Sequence, residues 1–145
     1  MSDGSLLEVL LNTLVPGDGA DWPAAGSHGL AKKTREMAGL QPDGVKALDA
    51  LLAMLPAGFE GQSQDEREHV LARIEGDAPE IFGAVLSATY TAYYTDPRIR
   101  DVIERLCGYE NRPPQPLGYE LPPFDESLLD QVKARGPIWR VVPET

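Results

Sequence analysis

The sequence predicts a mainly α fold, a compact bundle of about six helices with an extended C-terminal arm rich in proline and aromatic residues. Three observations carry this. Apolar residues recur at spacings of three and four in segment after segment, the period of a helix buried on one side. The segments begin at capping residues or prolines and end at glycine or proline, the asymmetry that helix termini impose. No segment offers two consecutive strands joined by a hairpin turn, and no repeat or low-complexity tract occurs.

Taken in order, Leu6, Leu7, Leu10, Leu11 and Leu14 make a short amphipathic helix that Pro16-Gly17 ends. The stretch 15–29, VPGDGADWPAAGSHG, is too rich in Gly and Pro for regular structure and carries Trp22, either exposed or anchored. A weak helix over 30–38 follows. Val45, Leu48, Leu51, Leu52 and Leu55 form a stronger stripe stopped by Pro56 and Gly58. Ser63 and Glu66 have the S-x-x-E spacing of a capping box, and Val70, Leu71 and Ile74 face the core from the helix it opens.

Pro79 opens the longest helix, about 79–94. It is apolar nearly all round through Ile81, Phe82, Val85, Leu86, Ala88, Tyr90, Tyr93 and Tyr94, with Gly83 as a point of close approach, and so predicts neighbours on every side. Asp96 as cap and Pro97 in the first turn launch another helix, with Ile99, Val102, Ile103 and Leu106 on one face and Gly108 as terminator. Asp125 caps a last helix that buries Leu128, Leu129 and Val132, places Lys133 and Arg135 at its negative end, and stops at Gly136.

Between these helices, residues 108–124 form the arm, and residues 137–145 form an extended tail in which Trp139 and Val141 alternate with Arg140. The arm holds Pro113, Pro114, Pro116, Pro122 and Pro123 among Tyr109, Tyr119 and Phe124. In polyproline geometry it spans on the order of 50 Å. Aromatics and prolines on extended backbone lose little entropy when immobilised, so the arm reads as contact surface for another protein. Tyr90, Tyr93 and Tyr94 fit core and core-edge positions somewhat better than such a surface, Pro97 is placed with the surface, and Trp139 is balanced between the two.

At 145 residues the chain is a single domain able to bury roughly 68–70% of its unfolded surface, with no need of a disulfide or metal staple. Its formal net charge of −10, with only 13 scattered basic residues, argues against nucleic acid, which demands clustered Lys and Arg. The acidity complements a basic partner or keeps the chain soluble, the latter carrying more weight. One cysteine, Cys107, permits no internal disulfide and reads as a small packed residue. No apolar run approaches the roughly 20 residues of a membrane span, and the N-terminus lacks the basic leader of a secretory signal. The expected location is cytoplasmic, or periplasmic where the chain is exported with a partner or has lost a leader.

Catalytic signatures are sparse. Glu66-x-x-His69 has the spacing by which di-iron bundles hold metal, but that site needs a second copy and the sequence has none. His28 is the other histidine, and two histidines with one cysteine make a poor zinc set. No serine sits in G-x-S-x-G, and no phosphate-cradling glycine pattern occurs. Asp18 and Asp21 near Trp22 could do acid–base work, as could any acidic pair.

The order of motifs is distinctive: a leucine-rich helix ending in T-L-V-P-G-D-G-A-D-W-P-A-A-G, then A-T-Y-T-A-Y-Y-T-D-P, then C-G-Y-E-N-R-P-P-Q-P-L-G-Y, and last a capped helix with R-G-P-I-W-R. From Leu10 to about Val142 this resembles the gluconate 2-dehydrogenase subunit 3 family, small subunits that accompany GMC-type flavoprotein sugar and alcohol dehydrogenases. The resemblance implies a non-catalytic helical companion that binds no cofactor itself. FAD is expected on a larger catalytic dehydrogenase subunit, whose folding, stability or export the chain supports, with a cytochrome subunit as a further member of the complex. The loop 16–23, the turn 90–97 and the arm 108–124 are then the docking surface. Many members of that family carry a twin-arginine leader, and this N-terminus shows none. Two other classes stand beside this reading: a self-associating helical protein whose arm swaps between identical chains, and a small helical enzyme using acidic residues near Trp22 or Glu66 with His69.

Overall fold

A computed structural model describes residues 3–109, 118 and 123–136. The chain divides into two units, residues 1–111 and 112–145. Most of the predicted arm, including Pro113, Pro114, Pro116, Tyr119 and Pro122, and the predicted tail with Trp139 lie outside the described residues.

The first unit contains α1 (Asp3–Leu14), α2 (Ala31–Gly39), α3 (Gly44–Met54), a 3₁₀ turn (Phe59–Gly61), α4 (Gln64–Asp77), α5 (Pro79–Tyr94) and α6 (Pro97–Cys107). The second contains a 3₁₀ turn (Glu126–Leu129) that runs into α7 (Asp130–Arg135). The fold is mainly α, and no strand occurs among the described residues. No helix among them is long and apolar enough to cross a membrane.

Local chemistry sets the helix ends. Ser63 and Glu66 form the full capping box: the Ser63 backbone N–H donates to Glu66 Oε2 at 2.8 Å, and the Glu66 N–H donates back to Ser63 Oγ. Pro79 stands in the first turn of α5, and Asp96 caps α6 by accepting from the Arg98 N–H at 3.0 Å. Gly108 ends α6 at φ 69°, a left-handed conformation open to glycine at little cost.

Helix α5 is the centre of the first unit. It packs on α2 and α3, and also on α4 and α6, while α1 packs on α2 and α4. Leu10, Leu11, Leu30, Leu48, Leu51, Phe59, Val85, Tyr93 and Ile99 are the large side chains wholly withdrawn from water. Val70, Leu71 and Ile74 join this core as their spacing predicts. Phe59, in the short turn after α3, has no periodic neighbours to announce it and is nonetheless buried.

Several expectations are corrected. α5 is not surrounded: it buries Phe82, Val85, Ala88, Thr89, Ala92 and Tyr93 and leaves Gly83, Ser87, Tyr90, Thr91 and Tyr94 exposed. Gly83 accordingly is no close-approach point, since a Cβ there would meet nothing within 4 Å. On α6 only Ile99 is fully buried, Val102 and Ile103 are half-buried, and Leu106 and Cys107 are exposed. Cys107 donates its thiol to the Ile103 carbonyl rather than packing in the core. In the second unit Leu128, Leu129 and Val132 are exposed, not buried. A four-residue 3₁₀ turn and a six-residue helix bring no second apolar layer of their own to cover such a stripe.

Candidate docking surface

The loop 15–29 forms no helix or strand, yet it is tightly held. Its backbone closes on itself through Asp18 N–H to the Trp22 carbonyl (3.0 Å) and Ala25 N–H to the Val15 carbonyl (3.0 Å). The Asp18 carboxylate accepts from the N–H groups of Ala20 and Trp22 at 2.8 and 2.9 Å. Those two bonds favour the ionised form and lower the Asp18 pKa. Gly26 is pressed against α1: a Cβ there would lie 1.9 Å from the Glu8 carbonyl oxygen. Asn12 of α1 completes the seam, accepting from the Ser27 N–H at 2.9 Å and donating to Ser27 Oγ at 3.1 Å.

The loop is also bound to the α5–α6 corner at three points. Tyr93 Oη donates to the Pro23 carbonyl at 2.8 Å. Arg98 Nη2 donates to the His28 carbonyl at 3.3 Å, and the Arg105 guanidinium pairs with Asp21 at 2.6 Å. The centre of the corner is Asp96, a buried carboxylate held by the Arg98 fork through Nε at 2.9 Å and Nη2 at 3.0 Å. This bidentate pair, with a smaller contribution from the Arg98 N–H and the nearby Lys33 charge, holds Asp96 at a pKa of about 2 against the opposing effect of burial. Asp96 in turn raises the Arg98 pKa. His28 Nε2 lies 3.6 Å from Asp96 Oδ1, beyond hydrogen-bond reach. The two sequence segments L-V-P-G-D-G-A-D-W-P and A-Y-Y-T-D-P thus meet in one structural joint.

Of the aromatic candidates, Tyr93 is 1% exposed and belongs to the core; burial, with smaller effects from Tyr94 and Asp18, raises its pKa. It is removed from the candidate surface. Trp22 is half-buried and packs against the core, so it anchors the loop rather than projecting from it. Tyr90 and Tyr94 are 43% and 51% exposed. Their ring centroids lie 6.1 Å apart at a tilt of 58°, and the Tyr94 ring meets Tyr93 edge-on at 5.3 Å. That geometry fixes Tyr94 against a rigid support. Tyr94, Arg100, Ile103 and Tyr109 line a shallow cleft of about 230 Å³. Tyr109 is 58% exposed, Pro97 and Leu106 are exposed near the two ends of α6, and Phe124 in the second unit is 65% exposed.

The pattern of three tyrosines in five residues could not say which ring turns inward. A signal for it existed only in the register of α5: Tyr93 lies four residues after Thr89 and eight after Val85, both buried, while Tyr90 and Tyr94 continue the row of Gly83 and Ser87. The corner network of Asp96, Arg98, Arg105 and Asp21 had no signature beyond the cap at Asp96.

The residues suggested for acid–base chemistry are engaged in local structure. Glu66 is turned onto Ser63, whose N–H and hydroxyl lower its pKa. His69 Nδ1 lies 2.6 Å from the Asp65 carbonyl, and Asp21 is paired with Arg105. Among the described residues no group of three or more His, Cys, Asp or Glu side chains is placed to hold a metal ion. Comparison of the chain with protein-family models, with curated proteins and with solved structures returns no match.

Proposed function

We propose that this chain is a non-catalytic small subunit that covers apolar surface on a larger FAD-containing dehydrogenase of GMC type and so holds it in a competent shape. The observation that carries the reading is the pair Tyr90 and Tyr94, half exposed on the outer face of a helix whose inner face is fully buried, beside a cleft edged by Tyr109. Large rigid rings left in water on a firm scaffold are what a protein contact surface requires, since they bring area at low entropic cost. The order of sequence motifs, which resembles the gluconate 2-dehydrogenase subunit 3 family, supports this choice of partner class. FAD resides on that partner, and a cytochrome subunit is a further candidate member of the complex.

The physical logic is linkage. A companion that binds only the folded catalytic chain stabilises it by mass action, by about 2.7 kcal/mol when present at a hundred times its dissociation constant. A standard interface of about 1,600 Å² would need the tyrosine face together with further aromatic surface of this chain. The test is co-production. A GMC-type flavoprotein that pairs with this chain is expected to be poorly soluble or weakly active when made alone and rescued by the wild-type chain. Rescue is expected to fail with Tyr90→Ser/Tyr94→Ser, while that variant itself melts as the wild type does. Full yield and full turnover of the flavoprotein alone would overturn the proposal.

A further inference from the structure

The second unit presents a stripe of its own. Asp125 caps the 3₁₀ turn by accepting from the Ser127 N–H at 3.0 Å, and Arg135 ends α7. Between them Leu128, Leu129 and Val132 are 68%, 38% and 59% exposed. Positions 128, 132 and 135 follow a four–three spacing, which keeps them on one helical face. Asp125, the extended N-cap residue, stands at the start of the same segment with its carboxylate on the Ser127 N–H. The stripe is therefore two apolar side chains and a base in line, led by an acid at the cap, with Leu129 beside it. Glu126 and Lys133 repeat the polarity on the flank.

Such a stripe is complementary to itself when reversed. We propose that the helix 126–135 pairs antiparallel with the same helix of a second copy of this chain. A two-fold axis near residue 130 sets Leu128 against Val132 of the other copy and Asp125 against its Arg135, twice over, as an isologous contact demands. A parallel arrangement would put like charge on like charge at both ends, and so the charges choose the direction. They also separate this occupant from an arbitrary apolar partner, which would have to carry the same polarity by coincidence. Two such ten-residue segments bury much less than a standard interface, so the pairing is weak and concentration-dependent. It is independent of the proposed flavoprotein contact, which uses the tyrosine face of the first unit.

Sedimentation equilibrium of the full chain, from low micromolar to near-millimolar concentration, is expected to show a monomer–dimer equilibrium. Val132→Asp leaves the Asp125 cap intact and is expected to raise the dissociation constant about tenfold or more by placing a charge in the apolar centre. Asp125→Lys and Arg135→Glu are each expected to be monomeric, and an equimolar mixture of the two is expected to dimerise again because every end pair is then of opposite sign. Tyr94→Ser is expected to leave the self-association unchanged. A wild-type chain that stays monomeric throughout the range overturns the proposal, and so does a dimer that survives Val132→Asp. Loss of helix content in Asp125→Lys would leave the Val132→Asp comparison as the deciding measurement.

Discussion

Tyr93 and Pro23 are joined by a 2.8 Å hydrogen bond across 70 residues, from the phenol of a core helix to a carbonyl in a loop that forms no regular structure of its own. The ring is buried among the helices and its polar tip reaches a loop that α1 and α6 also hold, through Asn12 to Ser27 and through Arg98 and Arg105. Removal of that tip leaves the Pro23 carbonyl short of a donor. Tyr93→Phe is expected to cost about 1–2 kcal/mol in urea unfolding. Faster amide exchange is expected over residues 18–25, with no comparable change in α3 or α4.

The Asp96–Arg98 pair predicts an acid-side loss of stability with a definite sign. The folded-state pKa of Asp96 is about 2 against an ordinary 3.8. A depressed carboxylate contributes stability that is fully present above its unfolded value and is lost as the pH falls through the folded one. The contribution is on the order of 2 kcal/mol, disappearing between about pH 4 and pH 2. Thermal unfolding across that window is expected to fall less steeply in Asp96→Asn than in the wild type. Equal slopes for the two proteins would count against the pair.

Two glycines predict opposite outcomes for the same substitution. Gly26→Ala places a methyl group 1.9 Å from the Glu8 carbonyl oxygen, and backbone cannot swing aside as a side chain does. The loss is expected to be about 3 kcal/mol or more, as overpacking against backbone allows little relief. Gly83→Ala adds a methyl group to open space in the middle of α5. There it removes backbone freedom from the unfolded chain and is expected to stabilise by about 0.5–1 kcal/mol. Chemical denaturation of the two variants checks both signs.

The capping box at the start of α4 predicts a smaller and more local effect. Ser63→Ala removes the acceptor for the Glu66 N–H and one donor to the Glu66 carboxylate. The expected cost is about 1 kcal/mol, read as a lower midpoint of thermal unfolding. Ser63→Asp, which keeps a cap acceptor but sets a second carboxylate beside Glu66, is expected to recover only part of it.

Helix positions were legible in the residues alone. Ser63 with Glu66, Pro79, Asp96-Pro97 and Gly108 mark starts and stops that occur where their patterns place them, because a helix terminus is satisfied by groups within four residues of it. The stripe Val70, Leu71 and Ile74 was legible for the same reason: a helical face is a matter of spacing along one segment. Exposure was legible only in part: Tyr90 and Tyr94 stand in water, Tyr93 is buried, and Trp22 is anchored against the core.

What remained for the tertiary structure was which neighbour each face meets. Sequence spacing states that Tyr90 and Tyr94 share a side of α5 and that Leu128 and Val132 share a side of the last helix. It does not state whether another helix stands against that side. α2, α3, α4 and α6 cover one side of α5 and leave the other in water, so an apolar helix turns out to be one-sided and its glycine stands in open space. The joint between Pro23, His28 and the Asp96 corner is likewise invisible until segments 70 residues apart are brought together. Local hydrogen bonds are encoded by adjacent residues, whereas burial depends on contacts between segments far apart in the chain.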